Sequence, residues 1–172
     1  LNNWSYRINN GKNPTIFFTN KNKEVSLSHI LEELNLLGTK SNSKFIPEQY
    51  LYSSEKNKMQ LLRGLMDTDG TVDKSHIEYY TVSKQLCEDI MNLCRSLGIN
   101  CNSRIKKTHY KKNGVKIECQ DCYRISIFTD KHIFNLKRKQ DKIIKGSNRS
   151  YSRINKTFII DIKPVGKRVG KC

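Results

Sequence analysis

The spacing of apolar positions switches repeatedly between the two-residue period of strands and the three-to-four-residue period of helices. The stretch Pro14-Thr15-Ile16-Phe17-Phe18-Thr19 is rich in β-branched and aromatic residues and predicts a strand. Ile30, Leu31, Leu34 and Leu37 then recur at helical spacing, with Ser26 or Ser28 as the N-cap and Gly38 as the stop. In Lys44-Phe45-Ile46-Pro47, Pro47 forces Ile46 to be extended. A polar run, residues 53–58, leads into a second helical stripe at Leu61, Leu62, Leu65 and Met66. Ile77 to Val82 reads as a strand, and Ser83 caps a helix striped by Leu86, Cys87, Ile90, Leu93, Cys94 and Leu97 and closed by Gly98. A long hairpin centred on Asn113-Gly114 follows. On its first arm Ile99, Cys101 and Ile105 share one face, opposite Asn102, Arg104, Lys106, Thr108 and Tyr110. On its second arm Val115, Ile117, Cys119, Tyr123, Ile125 and Ile127 share a face, opposite Lys116, Glu118, Gln120 and Arg124. The pattern predicts a ribbon with one apolar side and one polar, basic side.

The stretch Leu61 to Gly70 organises the rest. Gly64 falls inside the helical stripe, where it costs about 1 kcal/mol relative to Ala unless another backbone uses the space it leaves. Asp67 and Asp69 crowd the helix C-terminus, where the macrodipole is already negative, so a divalent cation or a basic partner is expected there. Gly70 stands at the C′ position that ends helices. A calcium loop is excluded, because Gly70 follows the second Asp directly and the loop's remaining ligands are out of register.

Residues 62–70, LRGLMDTDG, resemble the LAGLIDADG motif of homing endonucleases, the type often embedded in inteins. The match holds at Leu62, Gly64, Leu65, Asp67, Asp69 and Gly70; Arg63 departs from the small residue of the name, which implies a looser or outward-facing contact. Lys44-Phe45-Ile46-Pro47 resembles the K-x-I-P block between the two motifs of that family, and Phe158 to Gly166 resembles the strand with which an intein's splicing domain resumes. Ile16 to Lys21 also echoes Ser126 to Lys131, an offset of 128 − 18 = 110 residues, which fits two copies of one unit. The resemblance implies an α+β saddle made of one complete αββαββα-type repeat plus the C-terminal part of a preceding repeat. Residues 1–44 would belong to the first repeat, 45–59 to a linker, 60–150 to the second repeat, and 151–172 to the returning splicing strand.

The same resemblance implies metal-dependent hydrolysis of double-stranded DNA. Asp69 would hold Mg²⁺ near the scissile phosphate, and Lys44, with Lys139 as its second-copy counterpart (or Lys137), would be catalytic. Gly64 and Leu65 would face the motif helix of the missing first repeat or of a second copy. Asp67 is expected to hold structure. Arg104, Lys106, Tyr110, Lys111, Lys112, Lys116 and Arg124 are the DNA-contacting candidates, since a basic two-stranded ribbon can enter the major groove. A solvated sheet face that happens to carry lysines is the plainer reading of that ribbon, as a surface lysine is of Lys44. A non-cleaving nucleic-acid binder on the same scaffold, either a transcription regulator or an RNA maturase, is the alternative function. Protein splicing by this chain alone is not expected, because it lacks a nucleophile at its start and a terminal His-Asn.

Composition narrows the partner. With 32 Lys and Arg against 16 Asp and Glu, the net charge is +16, which favours a polyanion, nucleic acid first. No apolar run suits a membrane span. The start at Leu1 without a signal peptide leads us to expect a fragment of a longer intracellular product. Cys119 and Cys122 form a C-x-x-C, but residues three apart on a strand point to opposite faces and a second ligand pair is missing, so buried reduced thiols are expected rather than zinc.

Overall fold

The computed structural model of the chain describes residues 4–12, 15–20, 26–73 and 76–143. The returning strand expected over residues 158–166 lies outside these residues. Strands β1 (Trp4–Asn9) and β2 (Thr15–Asn20) form an antiparallel hairpin, with Tyr6 opposite Phe18 and Ile8 opposite Ile16. Helix α1 (Leu27–Glu33) starts at Ser26, whose hydroxyl accepts from the His29 N–H at 3.0 Å. It ends five residues before Gly38, because Asn35 adopts a left-handed φ of 55° and turns the chain there. A short helix α2 (Glu48–Leu51), not foreseen, begins directly after Pro47. The motif helix α3 (Glu55–Thr68) begins within the polar run, capped by Ser54.

Beyond α3 come β3 (Gly70–Asp73), β4 (His76–Thr81), α4 (Lys84–Ser96), β5 (Asn100–Lys106), β6 (His109–Lys112), β7 (Val115–Glu118), β8 (Cys122–Phe128) and α5 (Lys137–Gln140). Strands β3, β4, β8 and β5 pair antiparallel in that order as one sheet, so α3, β3, β4, α4, β5, β8 and α5 make the expected αββαββα unit. Strands β6 and β7 extend it as a separate two-stranded tip around Asn113-Gly114, where both residues take positive φ.

One face of the sheet forms the core. Val72, Ile77, Tyr79, Ile125 and Ile127 are buried with the α4 stripe Leu86, Cys87, Ile90, Leu93, Cys94 and Leu97, and with Leu62 and Met66 of α3. The apolar stripe of α3 thus divides: Leu62 and Met66, one helical turn apart, enter this core, while Leu61 and Leu65 are only half-buried. Successive strand residues alternate faces, so Thr71, Glu78, Tyr80, Arg124, Ser126, Asn102, Arg104 and Lys106 stand on the other, open face.

The expectation of one continuous polar side along the hairpin is corrected. Lys106 pairs with Cys122 but His109 pairs with Glu118, so residues 107–108 stand opposite 119–121. This bulge is held by Cys119 N–H donating to Thr108 O at 2.8 Å and the Thr108 hydroxyl to Gln120 O at 2.8 Å. Beyond it the faces are resorted. Tyr110 and Lys112 share a side with Ile117 and Val115, whereas Lys111 and Lys116 face each other on the opposite side. Cys119 is exposed rather than buried, since it lies in the bulge and not in a strand. Among the described residues no group of three or more His, Cys, Asp or Glu could hold a metal by itself.

Candidate active site and nucleic-acid interface

Helix α3 delivers two carboxylates at its C-terminal turn, and the chain treats them differently. The Asp67 carboxylate turns to the segment before α5, accepting from the Asn135 N–H at 3.0 Å and the Leu136 N–H at 3.0 Å. Asp69, the C-cap, is exposed, and its Oδ2 receives the Tyr79 hydroxyl at 3.4 Å. Burial first, then the charge and hydrogen bond of Asp69, push the Tyr79 hydroxyl far above its ordinary value, so Tyr79 stays a donor to Asp69.

Gly70 follows at C′ as expected, for a different reason. It lacks positive φ and opens β3; a Cβ there would lie 2.5 Å from Met66 Cε and 2.6 Å from Met66 O. Only glycine lets the strand leave the helix so abruptly. Gly64, by contrast, is exposed, and a Cβ on it would meet nothing within 4 Å among the described residues.

The basic partner at the helix end is Lys139. Its Nζ donates to the carbonyls of Met66 at 3.0 Å, Asp67 at 2.8 Å and Gly70 at 2.6 Å, and lies 5.7 Å from the centre of the Phe134 ring. Three donors meet three acceptors, so the ammonium is occupied in holding the negative end of α3. Desolvation, and next the charge of Arg138, lower its pKa against the opposing pull of Asp67 and Asp69. Lys137 lies in the first turn of α5 and is exposed. The Arg63 side chain is engaged by the segment before α5: its Nε donates to His132 O at 2.8 Å.

Lys44 reaches the same region from elsewhere in the chain. The Ser83 hydroxyl, which caps α4 by accepting from the Leu86 N–H, donates to Lys44 O at 2.6 Å. The buried Asp89 carboxylate accepts the Ile46 N–H at 2.8 Å. Both anchors seat the 44–46 segment on α4. A cavity of about 280 Å³ is then lined by Lys44, Asp69, Tyr79 and Tyr80. A second cavity, about 330 Å³, also reaches Asp69 and is lined by Thr71, Arg138, Lys139 and Lys142. Asp69 therefore lines both hollows; of their other residues, the family resemblance points to Lys44 and Lys139 but not to Arg138, Lys142 or Tyr79. The alternation of Ile77, Tyr79 and Thr81 was the available signal for Tyr79. The remaining two cations arrive through tertiary placement alone.

The open sheet face carries Arg104, Lys106 and Arg124, all exposed; the extension carries Tyr110, Lys111, Lys112 and Lys116, also exposed. A neighbour that sequence reasoning passed over is Glu78, which bonds Arg124 Nη2 and accepts from the Tyr80 hydroxyl at 2.5 Å.

The family model described as "LAGLIDADG-like domain" matches residues 56–149, more than half of the chain. The chain is 34% identical over 144 residues to the replicative DNA helicase DnaB of Mycobacterium intracellulare, covering 81% of this chain and 23% of the relative. It is 31% identical over 121 residues to the replicative DNA helicase DnaB of Synechocystis sp., covering 66% and 13%. It is 29% identical over 122 residues to the ATP-dependent DNA helicase Hel308 of Methanocaldococcus jannaschii, covering 68% and 10%. The chain spans less than a quarter of the length of these curated relatives.

Proposed function

The chain belongs to the LAGLIDADG-like domain family, and from that premise we propose that it is the DNA-cleaving half of an intein-borne homing endonuclease. The observation that carries the reading is the exposed Asp69 carboxylate at the end of the motif helix, which lines two hollows, one with Lys44 and one with Arg138, Lys139 and Lys142. A phosphate brought there meets cations from both hollows and the one acid they share. A binder would gain nothing from that acid, since it repels phosphate. Insertion as an intein is supported by the relatives: two differently named DNA helicases each match over a small part of their length.

The donor set suits Mg²⁺, which takes one or two protein carboxylates and fills its shell with phosphate oxygens and water. Asp69 would hold it here, with a second acid supplied by the partner motif. Bound at Asp69, the ion would stabilise charge on the phosphate and lower the pKa of the attacking water. The chain's own groups do the rest. Tyr79 fixes Asp69 by its hydroxyl, Lys139 secures the helix end that carries it, and Lys44 offsets the charge that develops on the phosphate. Residues 1–44 would complete the first repeat, residues 60–150 form the second, and the open sheet face would lie on duplex DNA. The partner for Gly64 and Leu65 is the first repeat's motif helix or a second copy of this chain.

Incubating the chain, at concentrations where it self-associates, with supercoiled DNA that carries a sequence recovered by binding-site selection tests the proposal. Nicking that requires Mg²⁺ and stops with a chelator is expected. Tight binding without any nicking would assign the non-cleaving alternative.

A further inference from the structure

Arg124 of β8 lies directly across from Arg104 of β5 and from Tyr80 of β4. Two guanidiniums opposite one another on neighbouring strands repel, and a face built only to collect phosphates would leave both free. Instead Glu78 of β4 holds one of them. Its Oε1 accepts from Arg124 Nη2 and its Oε2 from the Tyr80 hydroxyl at 2.5 Å, while Lys106 Nζ sits 4.9 Å from the centre of the Tyr80 ring. The Glu78 side chain is 16% exposed against 46% for Arg124, so the carboxylate is the fixed partner and the guanidinium the accessible one. Burial alone would raise the Glu78 carboxyl, but the hydrogen bonds from Tyr80 and Arg124 and the guanidinium charge outweigh it and hold it below its ordinary value.

A fixed carboxylate on a DNA-facing surface weakens binding to every sequence alike. What it supplies is orientation. Arg has five N–H donors; with some engaged by Glu78, the outer ones can still meet guanine O6 and N7, whereas an unheld Arg turns to the nearest phosphate. We propose that Glu78 is a specificity-determining residue of the sheet: by holding the Arg124 guanidinium it reserves it for a base edge and withholds it from the phosphate backbone. This deepens, and rests on, the DNA-binding part of the function proposed above.

Binding of the 172-residue chain to a random duplex and to a selected duplex, each measured across a salt series, tests it. Glu78→Gln keeps the side chain's shape and its acceptor for Tyr80. It should bind the random duplex more tightly, with a log-affinity against log-salt slope steeper by about 0.9 for the one phosphate gained. Its preference at the base pairs read by Arg124 should fall by about tenfold or more. Arg124→Ala should lose the same preference with an unchanged slope, and adding Glu78→Gln to it should change the slope no further. Tyr80→Phe, which spares the Glu78–Arg124 pair, should keep the preference. Selection of the wild-type sequence by Glu78→Gln with the wild-type slope would overturn the proposal. So would a steeper slope that persists in the Arg124→Ala background, since simple loss of negative charge would then explain it. If the wild-type chain binds no duplex at all, the DNA-binding reading itself fails first.

Discussion

Gly64 and Gly70 occupy the same motif for unlike reasons, and one pair of substitutions separates them. A methyl at Gly70 would press on Met66 backbone atoms that cannot yield, so Gly70→Ala should destabilise the chain by about 1–3 kcal/mol. A methyl at Gly64 would meet nothing within 4 Å among the described residues, so Gly64→Ala should be neutral or stabilise the isolated chain by up to about 1 kcal/mol. Denaturant midpoints of the two variants check both. Equal losses would mean that Gly64 is already covered within this chain. Glu78 sets an acid limit. Its folded pKa lies below the ordinary 4.5, so its contribution is fully present above that value and fades as pH falls through the lowered one. Glu78→Gln should flatten the acid limb of a stability–pH curve below about pH 4.5 and leave neutral pH less affected. An unaltered acid limb would show that the Glu78–Arg124 pair does not form in solution.

Helix α3 and the segment that precedes α5 act as one element. Arg63 donates to His132 O, Asp67 receives the N–H groups of Asn135 and Leu136, and Lys139 closes on three carbonyls. Lys139→Met should therefore cost about 2 kcal/mol of stability, the order expected for hydrogen bonds to a charged group, while Lys44→Met, whose seat depends on its backbone, should leave stability nearly unchanged. Thermal melts of the two variants decide; a destabilised Lys44→Met would indicate an unseen structural role. This brace was not legible in the sequence, because the spacing of Lys139 and Asp67 along the chain carries no trace of their meeting. The stripe and cap of α4 were legible, since Ser83 and the residues from Leu86 to Leu97 satisfy helix rules locally. Strand β1 left a signal in the alternation of Trp4, Tyr6 and Ile8, and α2 left one in Pro47 at an N-cap. The bulge at 119–121 left none, and so strand alternation alone sets Tyr110 and Lys116 on one face where pairing sets them on two.

For the whole molecule, a net charge of +16 is the long-range term and the half-buried side of α3 at Leu61 and Leu65 the short-range one. A groove of about 620 Å³ runs along that side, lined by Leu31, Leu34, Phe45, Leu61 and Leu65. An open apolar groove beside an open Gly64 should make the chain self-associate, and Gly64→Leu should reduce dimer formation by wedging the two backbones apart. Light scattering that finds the same monomer before and after the substitution would argue against a helix partner at this face. No helix among the described residues is long and apolar enough to cross a membrane, and the charge suits a polyanionic partner. The central claim is that Asp69 makes this scaffold a nuclease. It is tested most directly by Asp69→Asn, assayed for both binding and Mg²⁺-dependent nicking of a selected duplex at concentrations where the chain self-associates. The expected result is affinity equal to or slightly above wild type, because repulsion with phosphate falls, together with loss of nicking. Nicking by Asp69→Asn at the wild-type rate would contradict the account.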